Sequence, residues 1–200
     1  MRFPSVVLGY HGCDQDVAES ILAGKEEVRS STNTYDWLGS GAYFWENNPA
    51  RALSWAKLLA KSNSKKIKIP SVIGAIIDPG NCLDLAEESS LELVKAAFEG
   101  YRILSESSGE SLPVNEPGYK GDLDLVKRHL DCAVVNFLHE SRAAEGLAAY
   151  HTVRAPFSEG GELFKGSKLM DKTHVQWCVR DPKRSIIGYF RPRDSESTEA

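Results

Sequence analysis

The segment Trp37-Leu38-Gly39-Ser40-Gly41-Ala42-Tyr43-Phe44-Trp45 places two glycines beside a cluster of aromatic residues. Glycine allows a backbone to approach a ligand closely, and aromatic rings offer flat faces for stacking. We interpret its second half, Gly41–Trp45, as a strand. Because this pattern precedes a strand and no helix follows directly, it does not match a dinucleotide-binding turn of the doubly wound folds. The segment instead predicts a cradle for a flat aromatic ligand.

A second segment, Tyr10-His11-Gly12, ends an apolar run that starts at Ser5. The run predicts a buried strand that delivers His11 at its end. An isolated histidine in such a place is often a core residue, but Gly12 adds a main chain that a ligand can reach. One main-chain residue offers a donor and an acceptor, which are the two groups that a carboxamide needs.

Helix signals lie on both sides of the aromatic segment. Asp16 and Glu19 resemble a capping box that opens a helix ending at Gly24. Asn48 followed by Pro49 predicts the start of another helix, with asparagine as the cap and proline in the first turn.

The remaining elements predict an α+β protein, because antiparallel strands gather late in the chain. We expect strands at 71–77, 151–156, 174–179 and 185–190, helices at 90–105 and 122–147, and a loop at 107–121. A chain of 200 residues fits one domain. We predict a single catalytic domain over 1–193, with a helical insertion at about 86–150 and a disordered tail at 194–200.

Composition narrows the possible classes of protein. The formal net charge is −4 and 42% of the residues are hydrophobic, values that predict a cytoplasmic globular protein with no membrane segment. The four cysteines contain no C-x-x-C pair, so we expect reduced thiols, no disulfide framework and no metal. Lysines at 61, 65, 66 and 68 form a local basic patch. Such patches are usually solvated surface, but they also suit a polyanionic substrate.

The pattern of segments resembles the poly(ADP-ribose) polymerase and diphtheria-toxin class of ADP-ribosyltransferases. The matching elements are Tyr10-His11-Gly12, Arg29-Ser30-Ser31, Leu38–Phe44, and the following helix with Ala52 and Trp55. The resemblance covers the first 60 residues and residues 174–190, whereas the helical middle does not match. It implies the fold of that class, split antiparallel sheets with a helical insertion, and NAD+ as the co-substrate.

The resemblance also implies how NAD+ is bound. His11 would hydrogen-bond the ribose of the adenosine half, and the backbone of Gly12 would hold the nicotinamide carboxamide. Tyr43 would stack on the nicotinamide ring. Ser30 would belong to the same binding site, and Trp55 would cover the other face of the ring unless it packs in the core of its helix.

The third matching element is Thr173–Asp181, which resembles the strand that carries the catalytic glutamate of that class. Gln176 stands in place of the glutamate, where it would contact the nicotinamide ribose unless it is a surface strand residue. Because successive side chains of a strand point to opposite faces, this strand is predicted to have a semi-polar face with Gln176 and an apolar face with Trp177. Glu159 and Glu162 lie in a glycine-rich loop just upstream and could supply the missing carboxylate, although a solvated loop is the simpler interpretation.

These residues predict an NAD+-dependent mono-ADP-ribosyltransferase that modifies a macromolecule without a metal. The lysine cluster 61–68, with Lys65 and Lys66, favours a nucleic acid, RNA or DNA, as the acceptor, and RNA is preferred. A small enzyme of this class suggests a toxin or phage-defence effector held by an antitoxin protein. The alternatives are a protein-modifying transferase, an NAD+ glycohydrolase and a non-catalytic NAD- or ADP-ribose-binding module. An RNA 2′-phosphotransferase would need more arginine and histidine contacts for a phosphate.

Overall fold

The structure is a computed structural model that describes residues 6–61, 67–118 and 124–193. Seven strands of these ranges form a mixed, mostly antiparallel sheet, and five helices complete the fold, which confirms the α+β class. The strands are β1 (Val7–Asp14), β2 (Ala42–Glu46), β3 (Pro70–Ile77), β4 (Cys82–Asp84), β5 (Thr152–Phe157), β6 (His174–Val179) and β7 (Ile186–Phe190). The helices are α1 (Gln15–Leu22), α2 (Pro49–Lys61), α3 (Glu88–Ser108), α4 (His129–Ala144) and α5 (Pro182–Ser185).

The chain folds into two compact units. The first comprises the described residues of Met1–Val28, Phe44–Asp78 and Ile186–Ala200, and the second those of Arg29–Tyr43 and Pro79–Ser185. The single catalytic domain over 1–193 stays a prediction, and the predicted tail, 194–200, lies outside the described residues.

In the first unit the strand order is β2-β1-β3-β7, and all three pairings are antiparallel. Helix α2 packs on β1 and β3. It turns Ala52 and Ala56, which are fully buried, toward the sheet. Small side chains at these positions allow the helix to approach the strands closely. The start of α2 is as predicted, since Asn48 Oδ1 accepts a hydrogen bond from Arg51 N at 2.9 Å.

In the second unit the strand order is β4-β5-β6, with β4 parallel and β6 antiparallel to β5. A hydrophobic core joins this sheet to α4 and to the segment before β2; its buried members are Leu38, Leu83, Leu138, Val153, Ala155 and Cys178. Helices α3 and α4 pack against each other and lie in the stretch 86–150 that was predicted to be helical.

The predicted start of the helix at 122–147 is wrong, because α4 begins at His129. Lys127 instead forms a short bridge with Glu116, in which both backbone N–H groups donate to the partner's carbonyl at 2.8 and 3.0 Å. A backbone engaged in this way is not available for a helical turn. Leu125, which falls within the predicted helix, is exposed.

Three smaller features also differ from the prediction. The cap of α1 is Asp14, whose Oδ1 accepts from Asp16 N at 3.1 Å, so Asp16 is not the cap. Strand β4 was not predicted, because three residues are too few to show an alternation of apolar and polar side chains. The single turn α5 precedes β7, which therefore begins at Ile186. No helix of the described ranges is both long and apolar enough to cross a lipid bilayer.

The four cysteines are free thiols; Cys13, Cys132 and Cys178 are buried, and Cys82 is half-buried. Burial, helped by the charge of Asp14, raises the pKa of Cys13 to about 11, and burial raises the pKa of Cys82 to about 12. A thiol with a raised folded pKa keeps its proton in the native state. Its stabilising effect is therefore fully present below the unfolded pKa of about 9 and is lost as pH rises toward 11 to 12.

We therefore expect iodoacetamide to label these thiols at least about tenfold more slowly in the folded chain than in urea at pH 8.5, because the thiolate is the reactive form. We also expect the free energy of unfolding to fall between pH 9 and 11. Mass spectrometry of labelled peptides and urea titrations measure both effects. Equal labelling rates in the two states would contradict this assignment.

Candidate functional site

The two edges of β1 differ in how they are paired. Toward β3 the strand is paired along its whole length, from Val7↔Ile77 to Asp14↔Pro70. Toward β2, the described residues pair only at Gly9↔Glu46 and Tyr10↔Trp45. The described pairing of β1 with β2 therefore ends at Tyr10, before His11 and Gly12.

The backbone of Gly12 faces the side of β1 that is opposite to β3. Asn47 N donates to Leu8 O at 3.0 Å, so the backbone groups of Leu8 point toward β2. In an antiparallel strand this direction alternates with a period of two, which gives Tyr10 and Gly12 the same direction as Leu8. The N–H and C=O of Gly12 thus point away from β3, at a position beyond the last pairing with β2.

Gly12 is also constrained on its side-chain face. A Cβ at this position would collide with the carbonyl oxygen of Ala52 and would lie 3.2 Å from Ala56 Cβ. The oxygen belongs to the backbone of α2, which cannot move as a flexible side chain does. Packing against α2 therefore requires glycine here, independently of any ligand.

His11 lies on the opposite face of β1 from α2. Its half-buried ring is 5.8 Å from that of Phe44, with the ring planes tilted by 58°. Trp55, on α2, is half-buried and contacts Trp45 of β2, with ring centroids 6.2 Å apart. The first unit thus contains His11, Gly12 and Trp55 of the predicted site residues.

In the second unit, the hydroxyl of Tyr43 closes the turn that precedes β2. Tyr43 Oη donates to Gly39 O at 2.7 Å and accepts from Leu38 N at 3.1 Å. Burial, followed by the proximity of Cys178, raises the pKa of Tyr43 far above its usual value, so the phenol keeps its proton. Gly39 has a φ of +78°, a conformation that favours glycine.

Gly41 is required by packing. A Cβ there would lie 2.5 Å from Cys178 Sγ and 2.7 Å from Val179 O. Its backbone pairs with Ser31 through two hydrogen bonds of 2.8 and 3.0 Å. Ser30, which was predicted to bind NAD+, is the exposed neighbour of this bridge.

Gln176 lies on β6 opposite Ala155 and is half-buried. Its Oε1 accepts a hydrogen bond of 2.8 Å from Trp37 Nε1. Both faces of β6 are packed to a large extent. Cys178, on the face of Gln176, is as fully buried as Trp177 on the other face.

Glu159 lies close to the buried His174. Its Oε2 is 3.9 Å from His174 Nδ1, which donates to Lys172 O at 2.6 Å. The His174 ring stacks on Phe157 at 5.2 Å, and these two residues are register partners. Because His174 and Gln176 are two residues apart on one strand face, about 7 Å separates their positions along β6. Glu159 therefore lies along the face that carries Gln176.

Glu162 is exposed and has a local role. Its Oε2 accepts from Gly166 N at 2.8 Å and so stabilises the loop between β5 and β6. Of the two acidic candidates, Glu159 lies beside a histidine, whereas Glu162 bonds a backbone N–H of its own loop. Lys65 and Lys66, the predicted acceptor-binding residues, lie outside the described residues.

Sequence reasoning missed the aromatic cluster around Gln176. Trp37 and Phe157 are neighbours, and the guanidinium of Arg128 lies 5.2 and 5.0 Å from their ring centroids. Trp37 is the first residue of the glycine-rich segment, so the sequence showed that an indole lies close to the proposed ligand cradle. Its partner is 139 residues away in the chain, and no local pattern predicts such a pairing.

No model of a known protein family matches the chain. It is similar to the uncharacterized protein MJ0359 of Methanocaldococcus jannaschii, to which it is 26% identical over 207 aligned positions. The alignment covers 94% of this chain and 88% of that protein. The similarity extends over nearly all of both chains, but it supplies no activity, so a functional proposal depends on the residues themselves.

Proposed function

We propose that this chain is an NAD+-dependent mono-ADP-ribosyltransferase with RNA as its favoured acceptor, acting as a toxin or defence effector that a partner protein restrains. The proposal includes the fold of that class, with α3 and α4 as its helical insertion. The observation that supports it best is the backbone of Gly12, whose donor and acceptor point away from β3 at a position beyond the last described pairing with β2. A primary carboxamide fits such a pair of groups.

The reaction begins with departure of nicotinamide. The bond between C1′ of the nicotinamide ribose and the pyridinium nitrogen breaks, and nicotinamide leaves with the bonding electrons. Gly12 holds the leaving group by its carboxamide, Tyr43 stacks on the ring, His11 contacts the adenosine ribose, and Gln176 orients the nicotinamide ribose. Because nicotinamide is already a cationic leaving group, holding and orienting the two halves is the main requirement.

The second step is attack on C1′ by a nucleophile of the acceptor, which must lose a proton. Glu159 is the residue that we assign to this proton, because its carboxylate lies beside His174 on the face of Gln176. A neutral glutamine cannot accept the proton at neutral pH. Addition of one unit, with no chain elongation, is in keeping with an amide at position 176.

The experiment is incubation of the purified chain with NAD+, RNA and a bacterial protein extract. Nicotinamide is quantified by chromatography, and both macromolecules are analysed by mass spectrometry. We expect one nicotinamide released for each ADP-ribose attached to RNA. Nicotinamide without attachment would indicate a glycohydrolase, attachment to protein a protein-modifying transferase, and NAD+ binding without nicotinamide a non-catalytic module. Each of these three results would contradict the proposal.

The preference for RNA is tested by reversing the charges of Lys65 and Lys66. Each phosphate contact releases counterions, so Lys65→Glu with Lys66→Glu should lower transfer to RNA about tenfold and reduce its dependence on salt. The affinity for NAD+ should be unchanged, which serves as the control for the active site. Transfer to RNA that is equal to that of the wild type would remove the argument for a polyanionic acceptor.

A further inference from the structure

We propose that Trp37 is a positioning residue that fixes the side-chain amide of Gln176 in one orientation, so that Gln176 acts on the ligand as a hydrogen-bond donor. This inference deepens the proposed function and rests on it for the identity of the ligand. It assigns a role to the indole N–H that no local sequence pattern indicates.

The orientation of the amide follows from the chemistry of the indole. A tryptophan Nε1–H can only donate, so the atom of Gln176 that lies 2.8 Å from it must be the carbonyl oxygen Oε1. The amide nitrogen Nε2 then points the other way. The oxygen and nitrogen of a glutamine amide are told apart by their hydrogen-bond partners, and here the tryptophan distinguishes them.

The nitrogen end of Gln176 is available to a ligand. Among the described residues no acceptor lies at hydrogen-bond distance from Nε2. Nε2 is also absent from the set of buried side-chain atoms that lack a partner, so protein does not enclose it. The side chain thus has one end bound to Trp37 and the other end open, with two N–H donors.

The indole is itself held in place. The guanidinium of Arg128 lies over it, 5.2 Å from the ring centroid, and Phe157 is its aromatic neighbour. Arg128 is in turn paired with Asp131 Oδ2 at 3.5 Å, one turn along the chain. A donor fixed by packing and by a charged neighbour orients its partner at little further entropic cost.

The consequence concerns the group that Gln176 meets. A glutamate at this position would offer an acceptor to the ligand after bonding Trp37, whereas Gln176 offers donors. The ligand atom must therefore be an acceptor, and in the proposed reaction the 2′-oxygen of the nicotinamide ribose is the group of that kind. A donor of this type orients the ribose without adding negative charge, so its loss should lower kcat more than it raises KM.

The test compares Trp37→Phe in two backgrounds. Phenylalanine keeps a ring in the cluster but removes the donor, so the amide of Gln176 can rotate. With Gln176 present we expect kcat for nicotinamide release to fall about tenfold and KM to change less than about twofold. In the Gln176→Glu background the two carboxylate oxygens are equivalent, so orientation has no meaning. In that background, Trp37→Phe should lower kcat for nicotinamide release less than about twofold.

Phe157→Leu is the matched packing control. It changes the ring beside Trp37 but leaves the indole N–H in place, so its effect on kcat should be the same in both backgrounds. Equal losses for Trp37→Phe in the two backgrounds would overturn the proposal and leave Trp37 a packing residue. Thermal unfolding of every variant shows which losses come from the fold.

A second measurement separates this inference from the proposed function. Hydrogen exchange of the Trp37 indole proton, followed by NMR, needs no substrate. We expect exchange at least about tenfold slower in the wild type than in Gln176→Ala, because the hydrogen bond must open first. Slow exchange without NAD+ cleavage would retain the positioning role and refute the proposed function, whereas equal exchange rates would refute the positioning role itself.

Discussion

Replacing His11 or Tyr43 with alanine is expected to lower nicotinamide release from NAD+ at least about 100-fold, which corresponds to about 2.7 kcal/mol of transition-state stabilisation. His11→Ala removes the contact to the adenosine ribose, and Tyr43→Ala removes the stacking face for nicotinamide. Single-turnover chromatography of nicotinamide measures both. Rates equal to that of the wild type would refute the assignment of these residues.

Tyr43→Phe is the control for this prediction, because the hydroxyl and the ring of Tyr43 have separate roles. The hydroxyl bonds Gly39 O and Leu38 N and so stabilises the turn before β2. The ring would carry the stacking. Tyr43→Phe should therefore lower thermal stability by about 1 kcal/mol but reduce nicotinamide release less than about tenfold. A loss as large as that of Tyr43→Ala would assign the effect to the turn.

Gly12→Ala is expected to have the largest effect on the fold. The added Cβ would collide with the carbonyl oxygen of Ala52, and either β1 or α2 must shift. Overpacking against backbone of this kind costs about 3 kcal/mol, which is a fall of about 6 to 12 °C in Tm for a chain of this size. Calorimetry measures the shift. Nicotinamide release should also fall, because the proposed carboxamide contact moves with the strand.

Gly188→Ala is the matched control for Gly12→Ala. Gly188 is also a strand glycine, on β7, and a Cβ there would have no neighbour within 4 Å. We expect its free energy of unfolding to change by less than about 0.5 kcal/mol. If the two variants were equally stable, the close approach of α2 to Gly12 would be incorrect.

The elements that the sequence predicted well are those with local causes. The helix at Pro49 follows a cap that is written in two adjacent residues, Asn48 and Pro49. Strand β3 is an apolar run, Pro70–Ile77, that ends before the turn at Gly80, which has a φ of +54°. Each of these signals acts within a few residues, so a pattern can detect it.

The elements that were mispredicted have causes at a distance. The start of α4 depends on the bridge between Glu116 and Lys127. Residues 122–128, which were predicted to be helical, contain no glycine or proline that would have indicated the later start. Strand β4 exists because Leu83 pairs with Val153, which is far away in the chain. Such effects arise only when the chain is folded.

The candidate site divides in the same way. Residue type and spacing predicted that Gly12, Tyr43 and Gln176 carry the chemistry, and each prediction remains to be tested. The donor that holds Gln176 was beyond sequence reasoning, because an indole N–H has many possible acceptors along a chain. The structure also assigns packing roles to Gly12 and Tyr43, so these residues would be required even without a ligand.

The most direct measurement is an NMR titration of labelled protein with NAD+. It follows three signals: the backbone amide of Gly12, the ring of Tyr43 and the side-chain amide of Gln176. If all three bind the nicotinamide end of one NAD+ molecule, their shifts will follow a single dissociation constant, and the Gly12 amide will exchange more slowly when NAD+ is bound. Signals that stay unchanged at saturating NAD+, or that follow different dissociation constants, would contradict the proposed site.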